Sequence, residues 1–174
     1  MFKKVIISAA TIVALSAVSA SAADFVDYKK LTHQLKDEAK ANGNVATTED
    51  VKKALASKDW AVVDVRTAEE WAAAYIEGSQ RVGREAPEKA LENIVLDDEG
   101  KKLVKDKIIV VCNTASRAAI EAEAFRKMGF SKVMIYALET QWMSECNPVK
   151  NKYSGVETKD KKKFGSFKAE FCAK

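Results

Sequence analysis

Lys107-Ile108-Ile109-Val110-Val111-Cys112-Asn113-Thr114-Ala115-Ser116-Arg117 is the stretch whose reading decides the fold. Four β-branched residues in a row read as a strand with no polar face, as in a parallel sheet covered on both sides. Cys112 ends it, and the next four residues are small or polar. Arg117 to Met128 then reads as a helix, stopped by Gly129 as its C-cap, and Lys132-Val133-Met134-Ile135-Tyr136 is the next strand. A strand, a crossover helix and a second strand predict parallel pairing.

Working outward, Ala61-Val62-Val63-Asp64-Val65 is a second buried strand, interrupted only by Asp64. Ala68 to Tyr75 is helical, Ile76 to Val82 turns and returns as a brief strand, and Pro87 to Ile94 is a helix. Thr47-Thr48-Glu49-Asp50 is a helix-start signal for a segment running to Lys58. Phe25 to Lys40 reads as an amphipathic helix, with Phe25, Tyr28, Leu31 and Leu35 as its apolar stripe and His33 on its surface. Glu139 to Glu145 starts a last helix. Strands alternating with helices imply an α/β domain: an open, mostly parallel sheet with helices on both faces.

The ends of the chain differ from its middle. Met1 to Ala22 has two lysines, an apolar run from Val5 to Val18 and a small-residue exit, the pattern of a secretory signal cleaved after Ala22. The run is too short to span a bilayer. No later segment is apolar enough to do so, which implies a periplasmic or secreted protein without stable membrane insertion. The mature chain then has 152 residues, and the formal charge of +4 divides unevenly. Residues 23–146 hold 19 basic and 22 acidic side chains, whereas residues 147–174 hold 8 lysines against 3 acids. The lysines at 159 and 161–163 lack interleaved aromatic residues, so they read as a solvated tail and no nucleic acid is expected. A single histidine and three cysteines exclude an ordinary zinc finger and a disulfide-dense scaffold, and no metal or other cofactor is called for.

Cys112 is the residue that carries chemistry. In open α/β sheets ligands gather at the carboxyl ends of strands, where helix N-termini present free amides. The helix N-terminus and Arg117 favour the thiolate, the nucleophilic form, and no histidine near Cys112 in the sequence offers a general base. The competing reading is a buried, inert cysteine closing a core strand. Loop composition and the adjacent arginine favour the reactive one.

The segment Ile108 to Arg117 resembles the active-site strand and loop of rhodanese-like domains, whose pattern is Cys-x-x-Gly-x-Arg. Asp64-Val65-Arg66-Thr67-Ala68-Glu69-Glu70-Trp71 resembles the family's upstream box. Met128-Gly129-Phe130-Ser131-Lys132-Val133 resembles its strand entry, and Trp142 its closing Trp. The resemblance implies a five-stranded parallel sheet over residues 45–146, preceded by a helical extension at 23–44 and followed by the basic tail at 147–174. It implies a sulfurtransferase in which Cys112 becomes a persulfide. A thiosulfate-like donor supplies the sulfur, and cyanide or a thiol receives it. Amides of Asn113, Thr114, Ala115, Ser116 and Arg117 would hold the sulfur species, with Arg117 binding substrate anion and Arg81 or Arg84 forming an outer lip. Asp64, Arg66, Glu70 and Trp142 are expected in structural roles. Partners are a small sulfur-containing anion or thiol, with a protein sulfur acceptor as a further candidate.

The sequence also departs from the family pattern. Ala74-Tyr75 stands where Gly-His is usual, Ala115 where the loop glycine is, and Ala137-Leu138 where Gly-Gly is. Related cysteine phosphatases need a longer loop than the four residues between Cys112 and Arg117. Three cysteines permit three pairings. Cys146–Cys172 is preferred, since it staples the tail and leaves Cys112 free. A low-turnover sulfur carrier and a thiol–disulfide redox module remain the rival functions.

Overall fold

The computed structural model describes residues 25–152 together with Ser166, Phe167 and Cys172. The expected signal segment and the lysines at 159 and 161–163 lie outside the described residues. Helix α1 spans Tyr28–Ala41, α2 Thr48–Ala56, α3 Ala68–Ala73, α4 Pro87–Val95 and α5 Ser116–Lys127. The strands are β1 Trp60–Asp64, β2 Gln80–Arg81, β3 Lys107–Cys112 and β4 Lys132–Ala137, with the short pair β5 Val149–Lys150 and β6 Ser166–Phe167.

The main sheet has the order β2-β1-β3-β4 and every pair is parallel. Four strands form it rather than five. A single parallel bridge, Val45 to Ile135, stands beside β4 where a fifth strand would lie. The reason is length: only Asn44 to Ala46 separate the Gly43 turn from Thr47, which already caps α2 through a reciprocal capping box with Asp50.

Strand periodicity assigns the two faces. Ile108, Val110 and Cys112 point into a core shared with Ala118, Ala122 and Phe125 of α5 and Leu91 of α4. Ile109 and Val111 point the other way, toward Val51 and Ala54 of α2, Leu138 and Trp142. Both clusters are buried, which is why the strands show no polar face. Helix α1 departs from its expected stripe. Phe25 is 90% exposed and Tyr28 57% exposed, while Thr32 and Ala39 are buried and Leu35 packs on the core. Asp27 caps the helix through the Lys30 amide, so Phe25 falls outside it, and the 32/35/39 face is the one turned inward.

The last expected helix is a single π-helical turn, Leu138–Met143, in which the Ser144 amide reaches the Glu139 carbonyl at 3.2 Å. Beyond it, β5 is held against the end of α3 by reciprocal bonds between Tyr75 and Lys150 of 2.8 and 2.9 Å. Cys146 and Cys172 form a disulfide with Cα atoms 5.5 Å apart, and Cys112 is free. Among the described residues no helix is long and apolar enough to cross a membrane.

Candidate active site

The chain order places β1 and β3 side by side, with β2 beyond one and β4 beyond the other. That is the switch point of an open parallel sheet, where the loops leaving neighbouring strands diverge and open a crevice. Val65-Arg66 leaves β1 there and Asn113-Thr114 leaves β3.

Cys112 ends β3, and its Sγ accepts the Ala118 amide of α5 at 3.4 Å. The first-turn amides of a helix have no intrahelical acceptor, and they concentrate the positive end of its dipole. The sulfur therefore lies at the positive end of α5, with 1% of the residue exposed. The chain makes this turn through Ala115, which adopts a left-handed conformation at φ 62° and ψ 0°. Thr114 is exposed, and its hydroxyl meets Ser116 Oγ at 3.4 Å.

A network of alternating charges underlies the loop. Arg66 and Asp64 form a buried pair at 2.7 Å, the side chains 3% and 1% exposed. Arg66 also donates to Asn113 Oδ1 at 3.1 Å and to the carbonyls of Glu70 and Ala74. Asn113 in turn donates to Glu70 Oε1 at 3.1 Å. Glu70 receives both terminal nitrogens of Arg117, at 2.6 and 2.7 Å. The Arg117 hydrogen bonds and the Thr67 amide pull the Glu70 carboxyl down to about 2 against the desolvation that opposes them. The same pairing pushes the Arg117 guanidinium further above its usual range and keeps it charged, with a further contribution from Cys112.

Sequence reasoning named Asn113 for its amide, yet its side chain is the link between the two ion pairs. Thr67-x-x-Glu70 is a capping-box pattern readable in the sequence, and the box forms. Nothing local reveals that Glu70 also meets a guanidinium 47 positions away. Arg81 donates to the Arg66 carbonyl at 3.2 Å and pairs with Glu85. Arg84 lines a small cleft of about 210 Å³ with Tyr28, Val65, Arg117 and Glu121, whose carboxyl is pushed up mainly by burial. Trp142 is buried and donates Nε1 to the Pro148 carbonyl at 2.8 Å. Among the described residues no cluster of His, Cys, Asp and Glu converges as a metal site would.

With this geometry in place, comparison with known families gives a direct answer: the Rhodanese-like domain matches residues 47–141, more than half of the chain. The chain belongs to the rhodanese-like family.

No curated protein matches it. Among solved structures, a human single-domain sulfurtransferase is 19% identical with a TM-score of 0.45, covering 59% of this chain and 96% of that one. The polysulfide-sulfur transferase homodimer of Wolinella succinogenes is 23% identical with a TM-score of 0.45, covering 69% and 90%. An uncharacterized Saccharomyces cerevisiae protein is 21% identical with a TM-score of 0.45, covering 59% and 92%. The rhodanese-like loop of this chain thus carries an alanine, Ala115, at a positive-φ position.

Proposed function

We propose that this rhodanese-like domain is a sulfurtransferase acting through a persulfide on Cys112. The observation that carries the reading is the Cys112 sulfur at the positive end of α5, with the Ala118 amide directed at it. A thiolate there attacks the outer sulfur of a donor such as thiosulfate. An S–S bond to Cys112 forms, the sulfur–sulfur bond of the donor breaks, and sulfite leaves with the electron pair. The extra sulfur carries the negative charge, which the first-turn amides of α5 favour. Cyanide or a thiolate then takes that sulfur and Cys112 returns as thiolate. Asp64, Arg66, Glu70 and Asn113 act as positioning residues for the loop, and Arg117 joins their network while lending its charge to the sulfur.

The protein is proposed to work outside the cytoplasm after loss of residues 1–22. The support is the leader-like composition of that segment together with a Cys146–Cys172 disulfide, a pairing suited to an oxidising compartment. The 1% exposure of Cys112 favours a second reading, a sulfur carrier of low turnover.

Incubation with thiosulfate and cyanide separates these readings. Thiocyanate release, lost in Cys112→Ser, is the expected result. An adduct of about 32 Da on Cys112 without thiocyanate identifies the carrier. Absence of both product and adduct overturns the proposal.

A further inference from the structure

A cleft of about 440 Å³ opens beside the Cys112 loop, between the end of α3 and the π-helical turn. Ala73, Ala74, Leu138 and Met143 give it apolar walls, and Asn113, the residue after the nucleophile, borders it. Arg66, Glu70 and Glu139 supply its charged groups.

The three charges are not equally available. All five N–H donors of Arg66 have acceptors: Nε bonds Asp64, Nη1 bonds Glu70 O and Asn113 Oδ1, and Nη2 bonds Asp64 and Ala74 O. Arg66 has no donor left for an incoming anion. Both oxygens of Glu70 are held by Arg117, with Asn113 and Thr67 as further donors. Glu139 differs. It is exposed, its amide is anchored on the Asn113 carbonyl at 3.0 Å, and its carboxylate has no ion-pair partner among the described residues. Among the described residues the cleft thus combines an apolar wall with one uncompensated negative charge, which repels a dianion and suits a small apolar body carrying a cation.

We infer that this cleft is the acceptor site and that Glu139 selects a cationic aminothiol as the sulfur acceptor. The inference rests on the Cys112 persulfide reading. With the ammonium facing Glu139, the acceptor thiolate attacks the outer sulfur of the Cys112 persulfide. A new S–S bond forms on the acceptor, the bond to Cys112 Sγ breaks, and Cys112 leaves as thiolate while the acceptor departs as its persulfide. The sulfane sulfur moves without any external oxidant or reductant.

Cysteamine and 3-mercaptopropionate test this, since they share a two-carbon body and carry opposite charges. The protein is loaded with thiosulfate, the adduct on Cys112 is verified by mass, and its single-turnover discharge to each thiol is timed. The comparison uses wild type, Glu139→Gln and Glu139→Lys. Taking the ratio of the two rates within each protein and then across proteins cancels the intrinsic reactivity of each thiol. The cysteamine preference should fall about two- to fivefold in E139Q, the size of one exposed ion pair, and further in E139K. A ratio unchanged in both variants, with the adduct forming normally, overturns the acceptor assignment and leaves sulfur transfer standing. Failure of the adduct to form in wild type overturns the persulfide reading and this inference with it.

Discussion

Ala115 holds the strain of the active-site loop. A left-handed backbone places its Cβ against the following carbonyl, at about 1–2 kcal/mol, and glycine would carry no such penalty. Ala115→Gly should therefore raise stability by about 1 kcal/mol, read as a higher urea midpoint at unchanged slope. An unchanged or lower midpoint would mean that the buried methyl contributes more than the strain removes. Glu70 sets a second expectation at this scale. Its carboxyl is depressed from 4.5 to about 2, so the stability it contributes is present above pH 4.5 and lost as pH falls toward 2. The pair with Arg117 is partly exposed, so screening limits the contribution to about 1 kcal/mol. Acid titration of wild type beside Glu70→Gln should show a shallower loss of stability in the variant over that window. Parallel curves would show that the charge of Glu70 is not coupled to folding.

At the scale of elements, β3 and α5 act as one unit: the strand ends in the nucleophile and the helix delivers amide and dipole to it. Phe125, fully buried on α5, anchors that helix to the sheet. Phe125→Ala should cost about 3–5 kcal/mol. Because the helix positions the Ala118 amide, persulfide loading should also slow at temperatures where the variant remains folded. A large stability loss with wild-type loading would show that the loop holds its geometry without the helix packing. This unit was the most legible part of the sequence, since a β-branched run, a small polar loop and Gly129 all carry local signals. Element ends moved by a residue or two, as at α4, which runs Pro87–Val95 rather than to Ile94. The stripe of α1 holds only at Leu35, for a physical reason: Phe25 and Tyr28 have the right spacing, but burial depends on which face meets α5. The π-helical turn was equally hidden, because its wider winding has no pattern distinct from an α-helical start.

Across the whole molecule, the described residues after the domain form a strap. β5 bonds to Tyr75, Lys150 pairs with Glu77, and Lys152 Nζ lies 4.8 Å from the Trp71 ring centre. Cys172 lies against the Met143 carbonyl, beside the turn that walls the acceptor cleft. The disulfide closes a separation of 26 residues, for which chain entropy predicts roughly 3–4 kcal/mol. Cys146→Ser with Cys172→Ser should lower the melting temperature, and a reductant should do the same to wild type and nothing further to the double variant. Equal melting temperatures for oxidised wild type and double variant would remove the strap from the account of stability.

By itself, the sequence determined the parallel α/β architecture, the position of Cys112 at a strand end and the family resemblance, because each is written in neighbouring residues through periodicity, turn chemistry and loop spacing. Tertiary structure alone decided the partners. Glu70 with Arg117 and Asn113 with Arg66 join positions more than 40 residues apart, and the cleft of Glu139 exists only where α3, the Cys112 loop and the π-helical turn meet. Such pairings follow from the order of strands in the sheet, and strand order has no local signature in the chain.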